Sequence, residues 1–152
     1  MQFCPVEAAA CTPGTLQLPR ARVAQVRVDR EHGQIVVLWT DESDRLHRAR
    51  CSLTGTNCQV FSSPVGPQVT SLDVRIDPVF GAGYVAASSA ERTVVYRCDA
   101  TLVTCKLIAD VPGASVGRQS LGFDVVRRRL VLAMLQSANL RRPALGFLDL
   151  YP

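Results

Sequence analysis

The sequence predicts an all-β protein assembled from repeated four-stranded units. Three observations carry this reading. The six cysteines fall into three pairs, Cys4 and Cys11, Cys51 and Cys58, Cys98 and Cys105, each enclosing six residues, and successive pairs start 47 residues apart. A fixed period of roughly 40–50 residues is the mark of a repeat architecture. Between the pairs, short apolar stretches of strand length alternate with Gly, Asp and Ser clusters. No segment shows a 3.6-residue apolar period bounded by helix caps.

The stretch Cys51-Ser52-Leu53-Thr54-Gly55-Thr56-Asn57-Cys58 folds about Thr54-Gly55 as a hairpin. Leu53 then stands opposite Thr56, Ser52 opposite Asn57 and Cys51 opposite Cys58, with Gly55 free to take positive φ. Facing residues of an antiparallel pair lie within disulfide range. The second copy centres on Thr101-Leu102, has no Gly, and is expected to turn more widely. Disulfides are the expected state of all six cysteines. Free buried thiols and a metal site are the rival readings, but paired zinc ligands are normally two to four residues apart, and the only histidines are His32 and His47. Three disulfides imply an oxidising compartment, hence a secreted or periplasmic protein. No signal peptide is visible at the start, so the chain reads as a mature, trimmed or partial form.

The 152 residues are enough for one domain with a core. Apolar residues make up 47% and charged residues 20%, a balance that excludes a disordered tail. The net charge of +4 comes from arginines scattered along the chain. Without a basic tract interleaved with aromatics, nucleic-acid binding is not expected. No apolar run approaches the ~20 residues of a membrane span.

Residues 1 to 21 hold the first Cys pair and a Pro- and Gly-containing stretch that allows an edge strand and a linker. The first unit, about 22–62, has strands at Val23–Asp29, Ile35–Trp39, Arg45–Cys51 and Cys58–Phe61. Ile35–Trp39 is continuously apolar and is expected to be buried on both faces. The second unit, about 69–110, repeats the pattern through Leu72–Ile76, Tyr84–Ala87, Thr93–Cys98 and Cys105–Ile108. The third, 119–152, offers Leu121–Asp124, Leu130–Leu135 and Leu145–Leu150, then stops without a fourth strand. Asp29, Asp77 and Asp124 end the three first strands and are expected to cap the following turns.

Four-stranded units of this length, each with an apolar inner strand, resemble the blades of a β-propeller. The Arg-Cys-x6-Cys repeats at 50–58 and 97–105 resemble those of bacterial propeller-like repeat proteins. The resemblance implies blades about a common axis. Propellers typically have four to eight blades, so it also implies that three blades form half of a six-bladed ring closed by a second copy, a homodimer. Cys11–Leu18 aligns with the fourth strands of the first two units. It is expected to complete the third unit of a partner molecule beside Leu145–Leu150. A twisted stack of three sheets and a fragment of a longer chain are the alternatives. A sialidase-type Asp-box, Ser-x-Asp-x-Gly-x-Thr-Trp, is not present, and Asp29–Trp39 matches it only loosely.

The functional signals are sparse. Trp39, the only Trp, suits a core position or, as the rarer reading, an aromatic platform for a sugar. Asp41, Glu42 and Asp44 form an acidic loop able to ligate a hard cation, though such loops are usually solvated. Arg128 and Arg141, in the two runs Arg127–Arg129 and Arg141–Arg142, flank one strand and suit an anionic ligand. No Ser, Cys or carboxylate is placed near either histidine by the linear order, so a nucleophilic triad is unsupported. No acid pair recurs among the units. The expectation is a non-catalytic binding module, lectin-like, needing no metal or cofactor. Its ligand would be a glycan or another extracellular molecule. A propeller-fold glycan hydrolase and a structural scaffold are the competing classes.

Overall fold

The fold is seen in a computed structural model that describes residues 2–3, 12–13, 16–18, 20–64, 68–112, 119–136 and 142–149. It is all-β. A two-stranded pair, β1 (Gln2–Phe3) with β2 (Thr12–Pro13), is followed by three antiparallel meanders. Sheet 1 contains β3 (Val23–Asp29), β4 (Gln34–Thr40), β5 (Arg45–Ser52) and β6 (Gln59–Pro64). Sheet 2 contains β7 (Ser71–Ile76), β8 (Gly83–Ser88), β9 (Arg92–Cys98) and β10 (Cys105–Pro112). Sheet 3 contains β11 (Ser120–Asp124), β12 (Arg129–Gln136) and β13 (Arg142–Asp149). Among the described residues no helix is long and apolar enough to cross a membrane.

The second strand of each sheet is the most apolar because both of its faces are covered. On β4, Val36 and Leu38 face sheet 2, while Ile35, Val37 and Trp39 face the other way, against Leu16 and Leu18. On β8, Val85 and Ala87 return the contact to sheet 1, and Tyr84 and Ala86 face sheet 3. On β12, Leu130, Leu132 and Met134 face sheet 2. A strand's period of two residues sorts each sequence between two cores. The sheets are thus stacked in chain order, with one apolar layer at each seam.

The stack is tightest along one edge. The first strand of sheet 2, β7, lies against the first strands of both neighbours, β3 and β11. The Asp73 carboxylate joins all three there. Its Oδ1 accepts from Arg27 Nη2 of β3 at 2.8 Å, and its Oδ2 accepts from the Leu121 N–H of β11 at 2.8 Å. Its side chain is only 4% exposed, so those donors replace the water it has lost. Gln119 adds bonds to the carbonyls of Ser71 and Ala86 across the second seam.

Both described Cys pairs are disulfides, Cys51–Cys58 and Cys98–Cys105, with Cα atoms 4.1 and 3.9 Å apart. Cys4 and Cys11 lie outside the described residues. The first hairpin differs from a two-residue turn: Ser52 N–H bonds the Thr56 carbonyl. Gly55 takes φ 73° and Asn57 φ 51°. The left-handed Asn57 is an extra residue that shifts the pairing by one before the disulfide. The second hairpin is wider, with Leu102 at φ 60° and the Asp99 N–H bonded to the Thr104 carbonyl. Leu102 is drawn into this unfavoured conformation by its burial, 1% exposed, in the core between sheets 1 and 2. A Cβ on Gly83 would come within 2.5 Å of its Cδ2, so the close approach depends on a residue without one.

Residues 11 to 18 were expected beside Leu145–Leu150 of a partner. Within the chain, β2 pairs with β1, and Leu16 and Leu18 lie on the outer face of sheet 1.

Candidate ligand-binding cleft

Each first strand ends in an Asp whose side chain organises the next turn. Asp29 Oδ1 accepts the His32 N–H, Asp77 Oδ1 those of Val79 and Phe80, and Asp124 Oδ1 that of Arg127. A left-handed residue follows four positions after each Asp: Gly33 at φ 64°, Gly81 at φ 67° and Arg128 at φ 52°. The capping role expected of the three Asp residues is therefore present in all three turns. The third turn places an arginine where the others use glycine, and the backbone conformation costs more there.

The turns sit side by side. Asp77, Pro78, Val79 and Phe80 line one wall of an open cleft, and Phe123, Asp124, Val125 and Arg128 line the other. The rims are unusually apolar for loop tips. Val79 is 69% exposed, Phe80 60%, Val125 61% and Val126 93%. Arg128 is exposed and makes no ion pair or hydrogen bond among the described residues. Asp124 is spent on its own turn. The N–H and guanidinium of Arg127 hold its carboxyl below the usual carboxylate range. A neighbouring groove between Asp29–Glu31 and Val74–Ile76 carries more charged residues; its Arg27 and Arg75 are committed to Asp73, while its Arg30 makes no ion pair among the described residues.

The other residues singled out above fall elsewhere. Trp39 is 2% exposed and stacks on the His47 ring, centroids 4.9 Å apart. Its Nε1 is buried with no hydrogen-bond partner among the described residues. Asp41 caps its loop, accepting from the N–H groups of Ser43 and Arg45. Its Oδ2 also lies 2.8 Å from His47 Nε2, and that bond, foremost, lowers its pKa. Asp44 accepts from Arg22 and from the Gln68 N–H. Among the described residues no group of three or more His, Cys, Asp or Glu is placed to hold a metal ion. Arg141 lies outside the described residues.

Both histidines have carboxylate neighbours that the linear order hides. His47 meets Asp41 across the β4–β5 loop, and His32 Nδ1 lies 2.8 Å from Asp29 Oδ2. No serine hydroxyl is bonded to either ring among the described residues, so the pairs orient loops without assembling a nucleophile. The exposed Val79, Phe80, Val125 and Val126 also went unremarked in the sequence. Their signal was available, since three of the four, Val79, Phe80 and Val126, lie within the two positions directly preceding the left-handed Gly81 and Arg128, where polar residues are usual.

No protein-family model matches this chain, and no curated protein matches it.

Proposed function

We propose that the three sheets are blades of a propeller-like half-ring, and that the chain is a non-catalytic, lectin-like binding module whose site is the cleft between the second and third turns. The observation that carries this reading is the exposed Arg128 guanidinium, which makes no ion pair or hydrogen bond among the described residues, beside the exposed apolar tips Val79, Val125 and Val126. Exposed apolar patches on folded proteins mark contact sites. An aromatic ring offers a stacking face to the apolar side of a sugar, and an arginine binds a carboxylate through paired hydrogen bonds. An acidic glycan combines both features. The convergence of β3, β7 and β11 along one edge supports the blade reading. The two disulfides support an oxidising, extracytoplasmic location. In this reading two copies close the ring.

A glycan array with acidic and neutral members tests the proposal. Acidic glycans should bind, and Arg128→Ala should weaken that binding by about tenfold, worth ~1.4 kcal/mol. Binding that ignores both the acidic group and Arg128→Ala would overturn it. A hydrolase is the second reading, because two carboxylates, Asp77 and Asp124, line the same cleft. Turnover of any member of a glycosidase panel, abolished by Asp124→Asn, would establish that reading instead.

A further inference from the structure

Every sheet has a face directed at the sheet that follows it and a face directed at the sheet that precedes it. At the two internal seams these faces are buried on each other. The following-directed faces of sheets 1 and 2 present Val36, Leu38 and Tyr84, Ala86, Val95, none more than 1% exposed. The register makes Val131 and Ala133 on β12, with Phe147 and Leu145 opposite them on β13, the corresponding face of sheet 3. Among the described residues no sheet packs on this face, and Leu145 is 64% and Phe147 58% exposed. The preceding-directed face of sheet 2 buries Val74 of its first strand completely, and that of sheet 3 buries Leu121. In sheet 1 the matching residues are Val26 and Val28, opposite Val37 and Ile35, and they are 41% and 57% exposed. Leu16 and Leu18 cover the β4 and β5 side of that face only.

One molecule therefore exposes both halves of an interface that it forms twice internally. We infer that the outer face of sheet 3 docks on the β3 side and hairpin of sheet 1 in a second copy of this chain. The inference rests on the half-ring reading above and supplies its contact residues. The internal seam gives the register. Arg50 of β5 reaches the Ala100 carbonyl on the hairpin of the next sheet. Phe147 occupies the place of Arg50 on sheet 3, and Leu53 occupies the place of Ala100 on the hairpin of sheet 1. Phe147 of one copy thus meets Leu53 of the next, itself 50% exposed. An apolar pair replaces an arginine and a carbonyl. The contact is head to tail, and two of them related by a two-fold axis close a ring.

The test is mass in solution by light scattering, on the full chain and on Val28→Asp and Phe147→Asp. Both residues are exposed in the single chain, so the variants should fold and unfold like the parent. The parent should have the mass of two chains, and each variant that of one. The double variant Leu53→Cys, Phe147→Cys should form an interchain disulfide under oxidation. A monomeric parent would overturn the half-ring and this contact together. A dimer that both Asp variants retain would leave the half-ring standing and overturn the contact.

Discussion

The two seams of the molecule are built from different chemistry on the same strand framework. Between sheets 1 and 2, arginines cross the gap. Arg27 pairs with Asp73, Arg48 donates to Cys105 Sγ and the Val103 carbonyl, and Arg50 donates to the Ala100 carbonyl while also bonding Gln34 Oε1 of its own sheet. Burial presses the Arg48 pKa down, against the pull of the Asp99 charge across the seam. Between sheets 2 and 3 the place of Arg48 is taken by Val95, fully buried, and the place of Arg50 by Arg97, which is exposed. Tyr84 meets Phe123 edge to face at 5.4 Å, and Leu121, Leu130 and Leu132 fill the layer. A repeated arginine is thus a clamp only where a hairpin stands opposite it. The sheet positions are repeated, but their energetic roles are set by the neighbour.

Asp73 serves both seams, so its removal should have the largest effect. Asp73→Ala leaves Arg27 and the Leu121 N–H without their acceptor and should destabilise by about 3–5 kcal/mol, measured by denaturant unfolding. A loss near zero would mean that the three first strands do not converge on this carboxylate. Next comes the apolar seam. Leu132→Ala removes a side chain that is 1% exposed and should cost about 2–5 kcal/mol, with no change in its salt dependence.

The arginine seam should respond less and differently. Arg48→Ala removes hydrogen bonds from a charged donor, worth about 1.5–3 kcal/mol, and its buried stem with them. Arg97→Ala, at the position that matches Arg50 but is exposed at the second seam, should stay within about 0.5 kcal/mol. Equal losses for Arg48→Ala and Arg97→Ala would erase the distinction between the seams.

Acid provides a finer contrast between the hairpins. Burial raises the Asp99 pKa, but bonds from the Thr101 hydroxyl and from the N–H groups of Thr104, Val103 and Thr101 outweigh it, and the net shift is downward. A carboxyl with a depressed folded-state pKa contributes stability above its unfolded pKa, ~3.9, and loses it as pH falls through the lower folded value. The first hairpin has Ser52 at the matching position, bonded to Thr54 and Thr56, and does not titrate. Below about pH 4, amide exchange in residues 99–104 should accelerate relative to residues 52–56. Asp99→Asn should abolish that difference.

Much of this organisation was legible in the residues themselves. The unbroken Ile35–Trp39 run announced a strand covered on both faces, and the cysteine spacing announced three hairpins, of which the two among the described residues are present. The Asp29, Asp77 and Asp124 series announced its turns, because each cap acts within four residues. Contacts between distant residues were not legible. Nothing local ties Arg48 to Cys105 or Asp73 to Leu121. The Asp41–His47 pair depends on how sharply the β4–β5 loop folds back, and the shift of Ser52 onto Thr56 depends on Asn57 adopting positive φ. The repetition of Arg50-Cys51 in Arg97-Cys98 marked a position of interest, but its chemistry appears only when the opposing surface is known.

The cleft is where this framework would act on another molecule, and it lies in the apolar half of the comparison. Amide chemical-shift mapping during titration with an acidic oligosaccharide tests it most directly. The account predicts shifts concentrated in residues 77–81 and 123–128, lost in Arg128→Ala. Shifts centred instead on the 51–58 or 98–105 hairpins, or none at saturating oligosaccharide, would contradict it.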